Sequence, residues 1–479
     1  MYLPIPKGVF AKRASIPMVR LRSPFSVVYD LSVMIRSIIH SLGSQKRIAG
    51  GALILATTQF GASFAGLIRD RVLAGTFPPG VDQLDTVSVY ISAFRPSDLL
   101  FQMFVMSAFS VALVPMLASH LAHDRKKNMD QLLTKVLVVS GIVFGLLALL
   151  LAIFMRELAP LFVSFQGESL ELYIRFAKIA CFTNFLFVAG NAFGQYLIVR
   201  QTYWSYGLTP IIYTVGTIAG AIWLTGAFGP YGPIYGTVVG AAIYVLVRTW
   251  SCMRQGFKLR LEKSDDTKGE LKEMGMLMLP RMIALGAMQF QLLLFDKVAS
   301  GLTLGSVTIN AYARNFQAAA VGVVGIALAQ SSYSLLSQAI ARGEISKFKS
   351  ILRKGAFLTV GLTVPAAIVL ALLARVAAMI VNLNDAQIVS TFVIALSLYA
   401  ISIPFESLNH LLLRAVYSTK HTAVPAMLTV INGALAITCA WIFAPSYGVF
   451  ALAVGFTVGQ IVQMVGLWGF LRLRIRRII

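Results

Sequence analysis

Long uncharged runs, broken by short charged or Gly/Pro-rich stretches, dominate the chain. The first, AGGALILATTQFGASFAGLI, carries no charge over about twenty residues, the length a helix needs to cross the hydrocarbon core of a bilayer, and it ends on Arg69, Asp70 and Arg71. Reading the whole chain in this way predicts spans near 48–69, 86–118, 131–155, 170–198, 205–226, 232–251, 273–298, 306–338, 353–374, 386–414, 422–443 and 448–470. The runs are helical in length and lack the short two-residue alternation of an outer-membrane barrel. The pattern predicts an all-α polytopic membrane protein of about 12 transmembrane helices, built as two six-helix lobes.

The connections alternate in charge. One set holds HDRKKN, RQGFKLRLEKSDDTKGELKE, ARGEISKFKSILRK, YSTKH and RLRIRR; the other holds FPPGVDQLD, QGESLE, GAFGPYGP, LTLGS, NLND and APSYG. Basic connections stay on the cytoplasmic side of a membrane, so both termini are expected there. The predicted organisation is a basic tail over 1–47, an N-lobe over 48–253, a cytoplasmic linker over 254–272, a C-lobe over 273–471 and a basic tail over 472–479. Within the first tail, FSVVYDLSVMIRSIIHSL reads either as an amphipathic helix lying on an anionic membrane face or as a disordered arm. No signal-peptide pattern is expected there.

The halves repeat. DRVLAG at Asp70 returns 226 positions later as DKVASG at Asp296, and LTPIIYTVGTIAGAIWLTGAFGPYG parallels AVPAMLTVINGALAITCAWIFAPSYG, which aligns Pro210 with Pro425 and Gly232 with Gly448 at offsets of 215 and 216. An even number of spans per half makes the repeat parallel, with a pseudo-two-fold axis along the membrane normal and a substrate site between the lobes near the midplane.

Composition sharpens the class. Of 479 residues, 57% are hydrophobic and 13% charged, and the mean hydropathy is +0.77. The net charge of +22 would suggest nucleic acid in a soluble protein; spread over alternate connections it is an orientation signal whose partner is the anionic inner leaflet. No nucleic-acid partner is expected. Cys181, Cys252 and Cys439 lie too far apart in sequence to suggest a metal motif or a disulfide framework, and no cofactor is expected.

A few charges fall inside the runs, where each costs roughly 2.5 to 3.5 kcal/mol if it faces lipid. Arg95 and Asp98 flank Pro96 at a spacing that lets them share a helix face and pair; Arg281 follows a proline in the seventh span, Arg314 sits in the eighth, and Glu406 lies in the tenth with His410 one turn on. Each, like Arg69 and Asp70, reads either as a structural ion pair or snorkelling side chain or as part of a cavity between the lobes. Arginines from both halves suit an anion, because the planar guanidinium matches phosphate oxygens. Asp296, Glu406 and His410 are further candidates for ion coupling or for lining the cavity.

GLIRDRVLAG, the following Leu84 and Asp85, AFRPSDLLFQ, SAFSVALVPML and INAYARNFQAAAVGVVGIALAQ resemble the MurJ/MviN lipid II flippases of the multidrug/oligosaccharidyl-lipid/polysaccharide exporter superfamily. The resemblance runs from about residue 48 to the C-terminus and is strongest in the first, second and eighth spans. It implies a transporter, not an enzyme: a monomer in a bacterial inner membrane that moves a polyprenyl-diphosphate-linked glycan outward by alternating access through a cationic cavity. It assigns functional weight to Arg69, Asp70 and Asp85, and Arg95, Asp98, Arg281 and Arg314 join them as substrate-binding candidates on charge alone. The chain departs from the family where arginines and a glutamate are usual, at Ser63, near Phe101 and near Met106, and Arg314 stands one place from the family's cation. Family members usually carry two further C-terminal helices that help hold the lipid tail, whereas this sequence ends at its twelfth predicted span; a lateral gap between the lobes is the expected tail path, and the small residues of GTIAG (216–220) and INGALA (431–436) read either as its edge or as ordinary close helix packing.

Two other functions fit less well. A cation-coupled drug exporter of the same superfamily calls for an acidic cavity, and an enzyme acting on polyprenyl phosphates calls for DDxxD, HExxH, Walker or GxSxG signatures that the sequence lacks. The topology is testable directly. Cysteines introduced at Gly80 and Ser446 are expected to react with an impermeant reagent added outside, and one at Lys127 is expected not to; the reverse pattern inverts the orientation.

Overall fold

The computed structural model describes residues 46–261, 265–419, 421 and 423–478; the amphipathic segment expected in the N-terminal tail lies outside them. The chain divides into Met1–Ile54 and Leu55–Ile479, and the contacts described below fall within the second unit. The first half contains α1 (Lys46–Thr76), α2 (Thr86–Leu100), α3 (Val114–Ala122), α4 (Lys126–Ile153), α5 (Met155–Phe162), α6 (Gly167–Val199), α7 (Tyr203–Ala219), the single turn α8 (Thr225–Phe228) and α9 (Gly232–Arg254). The second contains α10 (Asp265–Ala299), α11 (Ser306–Ala320), α12 (Ala327–Ala341), α13 (Ile345–Leu372), α14 (Ala374–Ile380), α15 (Ala386–Ser418), α16 (Ala423–Tyr447) and α17 (Phe450–Ile478). No strand occurs among the described residues.

Nine helical stretches among the described residues are long and apolar enough to cross a membrane, so the protein is a multi-pass α-helical membrane protein. One of the nine, Tyr203–Arg254, covers two predicted spans, because the chain turns at Gly229 (φ +55°) between α7 and α9. The predicted second span is a rod in which wide π-turns at Phe101–Met106 and Phe109–Leu113 link α2 to α3. These turns follow the buried Pro96, whose missing N–H interrupts the helical ladder.

The repeat is visible in the element bounds. α2 and α11 each have 15 residues, lie 220 positions apart and run into six-residue π-turns; α4 and α13 have 28 residues each, and α6 and α15 have 33 each, both pairs 219 apart. The residues preceding α2 and α11, Asp85 and Gly305, both adopt left-handed backbone at φ +44° and +82°. This register corrects the alignment of the last two helices. Gly448 (φ +57°) corresponds to Gly229 (φ +55°), not to Gly232, because the conserved feature is the left-handed turn between two helices and not the neighbouring Pro/Tyr/Gly letters.

The small-residue stretches are also reassigned. A Cβ on Gly216 would lie 2.6 Å from Gly240 Cα, and one on Gly220 would lie 2.7 Å from Gly236 Cα, so GTIAG seals α7 against α9 inside one half. In INGALA, the Asn432 and Ala436 backbones approach Gly459 and Gly455 of α17. Both stretches therefore serve close helix packing within a half, where lipid supplies no hydrophobic drive and near approach of backbones must do so.

The halves meet through a pair of matched reaches. Arg71 Nη1, at the end of α1, donates to the carbonyls of Met379 and Ile380 at the end of α14 (2.8 and 3.1 Å), while Lys297 Nζ, its repeat counterpart in α10, donates to the carbonyls of Pro160 and Val163 at the end of α5 (2.7 and 2.9 Å). Each cation caps the unsatisfied carbonyls of a short helix in the opposite half, where the helix dipole also favours positive charge. Between the two reaches, Ser88 and Thr308, 220 positions apart, touch Oγ to Oγ1 at 2.9 Å. A residue that meets its own repeat counterpart marks the pseudo-two-fold axis.

With the native cysteines replaced, a Ser88→Cys/Thr308→Cys pair is expected to oxidise readily to a disulfide. Adding Arg71→Gln and Lys297→Gln is expected to slow this several-fold, since each removes charge-assisted bonds worth roughly 1.5 to 3 kcal/mol; an unchanged rate means the two cations do not hold the halves together.

Candidate functional site

Close to that axis lie two buried carboxylates. Asp70, 4% exposed, accepts from Arg69 Nε and Nη2 on Oδ1 (2.9 and 2.6 Å) and from Asn315 Nδ2 of α11 on Oδ2 (3.2 Å). Tyr312 donates to its backbone carbonyl at 3.0 Å. Asp296, 2% exposed, accepts from Arg95 Nε of α2 at 2.9 Å. Asp70 and Asp296 are repeat counterparts, and so are Asn315 and Arg95, so the first helix of each half has its carboxylate held by the second rod of the other. Asp85 completes the seam: its Oδ2 accepts the backbone N–H of Gly305 at 3.1 Å, its Oδ1 is buried without a hydrogen-bond partner, and burial pushes its carboxyl up from the ordinary value against the opposing hydrogen bond from Gly305.

The expected Arg95–Asp98 pair is not formed. Arg95 spans the seam to Asp296, while Asp98 accepts from Asn184 Nδ2 of α6 at 2.8 Å within its own half. The physical reason is demand: Asp296 sits deep enough that an unpaired charge would be severely penalised, and the long arginine side chain reaches it, whereas an amide suffices for Asp98.

A second group lies in the C-terminal half, around a cavity of about 150 Å³ bounded by α10, α11, α15, α16 and α17. Arg314 lines it and is held in place: Nη1 donates to Gln317 Oε1 (2.7 Å), Glu406 Oε2 lies 3.6 Å away, and the guanidinium stacks 3.9 Å from the Phe456 ring centroid. Gln317 Nε2 in turn donates to Glu406 Oε2 (2.6 Å) and to Ser402 Oγ (3.0 Å). His410, one turn beyond Glu406, lines the same cavity. Deeper in, Asn409 donates to Gln460 and Asn432 to Gln463, and the side-chain carbonyls of Asn409 and Asn432 are buried without a partner. Such a cavity offers a fixed cation, a carboxylate and spare acceptors to a polar guest or to water.

The predicted residues therefore fall into groups and not into one. Arg69, Asp70, Asp85, Arg95 and Asp296 are drawn to the seam; Arg314, Glu406 and His410 line the C-half cavity; Asp98 faces α6; Arg281 is exposed on α10 and apart from that lining. Of the positions that depart from the family pattern, Ser63 is exposed and bonds back to Gln59, and Phe101 is buried edge-on against Phe144.

The hydropathy reading missed several side chains. Asn315, Gln317, Asn409 and Asn432 carry no charge, and a search of the apolar runs for charges passes over them. Arg248, 2% exposed, lies three residues before the end of the predicted span 232–251 and was not singled out. It is locked in the N-half by the Thr209 hydroxyl and the Gly190 and Tyr206 carbonyls (2.8, 2.9 and 3.0 Å) and stacked on Tyr206 and Tyr244.

Comparison with known proteins places this geometry. The chain is 24% identical over 444 residues to a probable lipid II flippase MurJ of Bdellovibrio bacteriovorus, covering 89% of this chain and 83% of that protein. It is 25% identical over 429 residues to the lipid II flippase MurJ of Burkholderia cenocepacia, covering 85% and 81%. The fold is similar to that of a lipid II flippase MurJ solved in an inward closed conformation, with a TM-score of 0.74 at 18% identity over 88% of this chain and 87% of that one. It is also similar to an inward-facing multidrug resistance MATE family transporter of the MOP superfamily, with a TM-score of 0.72 at 16% identity over 87% and 95%. The family model described as lipid II flippase MurJ matches residues 83–478, and the chain belongs to that family.

Proposed function

We propose that the protein flips lipid II, the polyprenyl-diphosphate-linked peptidoglycan precursor, from the cytoplasmic to the outer leaflet of a bacterial inner membrane, as a monomer with both termini in the cytoplasm. The observation that carries the reading is the seam. Asp70 and Asp296 sit in matched positions of a repeated bundle, each held by hydrogen bonds from the opposite half, so one concerted rotation can break both sets at once. An alternating-access transporter needs this arrangement: polar contacts strong enough to close one face, and few enough to be exchanged.

In this scheme the lobes part along the α2/α11 line, Arg95 leaves Asp296 and presents its guanidinium fork to the diphosphate, and Arg69, which keeps its neighbour Asp70, is uncovered with the remaining donors of its own fork. Arg314 supplies a third cation from the C-half. No bond in the substrate is made or broken; positive charge offsets the penalty of carrying a diphosphate through low dielectric. The polyprenyl tail stays in lipid and follows the gap between lobes. Arg314 in the cavity lining argues against a cationic drug as cargo, because like charge there would be repelled.

Expression of the protein in a strain depleted of its own lipid II flippase is expected to restore growth, and proteoliposomes are expected to move fluorescent lipid II across the bilayer. Failure of both, with the protein folded and inserted, overturns the reading. Arg314→Ala is expected to lower the flipping rate by about tenfold to a hundredfold, the equivalent of losing a charge-assisted hydrogen bond, while leaving expression and thermal unfolding close to those of the parent. An unchanged rate removes Arg314 from the site.

A further inference from the structure

Away from the seam, an open groove of about 660 Å³ runs between the start of α13 and the end of α17. Both helices pack on α15 through one apolar cluster that includes Phe348, Leu352, Leu411, Leu412 and Leu471, and the groove is the space left between them. Its rim is basic. Lys349 and Arg353 lie one turn apart on α13, and Arg472 faces them from α17, one turn beyond Trp468. None of the described residues lining it is acidic.

Like charges one turn apart on a helix are mildly repulsive, and a third converging cation adds to the cost unless an anion is present. The floor, formed by Leu352 and Leu471, is buried and apolar, and Trp468 is half exposed at the rim, the place an indole takes at a membrane interface. Apolar surface continues from the groove along both helices: Phe357, one turn on from Arg353, is 82% exposed, and Val465, one turn back from Trp468, is 61% exposed. A soluble anion would use the cations and leave this track unused. A molecule with a phosphate head and acyl chains matches both parts.

We propose that the groove is a binding site for an anionic phospholipid, its phosphate held by Lys349, Arg353 and Arg472, its glycerol backbone level with Trp468 and its acyl chains laid along Phe357 and Val465. A basic pocket between helices at the membrane surface is the form such sites take. In the proposed orientation it opens to the cytoplasmic leaflet. The site is independent of lipid II transport, so its test does not use flipping.

Trp468 is a local reporter. With Trp204, Trp223, Trp250 and Trp441 replaced by Phe, the remaining indole is expected to be quenched by phosphatidylglycerol brominated in its acyl chains. Lys349→Gln/Arg353→Gln/Arg472→Gln is expected to raise the half-quenching lipid concentration by about a hundredfold, the effect of three interfacial cations. A control carrying Arg254→Gln, Lys272→Gln and Arg342→Gln, exposed cations outside the groove, is expected to behave as the parent. An upward shift in thermal unfolding temperature on adding phosphatidylglycerol, measured with all five tryptophans present, is expected in the parent and lost in the groove variant. Equal quenching by brominated phosphatidylcholine, full competition by soluble glycerol phosphate, or equal loss in the control variant would each overturn the proposal: the first denies charge selectivity, the second assigns the groove to a soluble anion, and the third reduces the effect to diffuse surface charge.

Discussion

Two buried carboxylates, Asp70 and Asp296, organise the protein. A carboxylate at this depth is tolerated only with donors around it, and in both cases a donor comes from the far half of the molecule. That single requirement joins the halves. It fixes the approach of α2 to α11, brings Ser88 against Thr308 on the pseudo-two-fold axis, and sets the ends of α1 and α10 where Arg71 and Lys297 reach the short helices α14 and α5. The seam sets these polar contacts within an apolar cluster shared by both halves, and for a transporter the polar ones matter: apolar surfaces pulled apart inside a membrane meet lipid at little cost, whereas ion pairs must find new partners, which a charged substrate can supply.

The repeat fixes the scaffold and leaves the chemistry free. The counterpart of Arg95 is Asn315, so one carboxylate is held across the seam by a full charge and the other by an amide plus its neighbour Arg69. The counterpart of Arg314 is Phe94, and the counterpart of Glu406 is Phe187. The C-half therefore holds a polar cavity where the N-half places aromatic rings, with Phe187 packed edge-on against Tyr213 and Tyr244. The same helices with the same lengths present different surfaces because a side chain on a packed helix is chosen by its local neighbours, whereas helix length and turn conformation are set by the bilayer and the backbone.

Inside each half, contact is made by small residues and by satisfied polar groups. Gly216, Gly220, Gly236 and Gly240 bring two backbones to within van der Waals distance, and Arg248 joins three helices through carbonyls and rings without any acid. These contacts tie each half together internally, and the regular helical ladder is broken at the π-turns in the two central rods.

Much of this was legible in one dimension. The apolar runs gave the helices, because crossing a bilayer demands a length and a composition that no local context overrides; the matched DRVLAG and DKVASG gave the repeat and singled out Asp70 and Asp296, and the isolated charges Arg314 and Glu406 led to the C-half cavity because a charge in an apolar run must have a partner somewhere. Which partner was beyond reach. Spacing offered Asp98 to Arg95, but the choice went to a carboxylate 201 residues away whose need was greater; small residues offered a gap but were consumed by packing within a half; and Asn315, Gln317, Asn409 and Asn432, being uncharged, were passed over by a search for charges. Sequence determines which side chains cannot face lipid, and only the tertiary structure decides what they face instead, because hydrogen bonds and ion pairs are satisfied between helices whose relative positions no single run encodes.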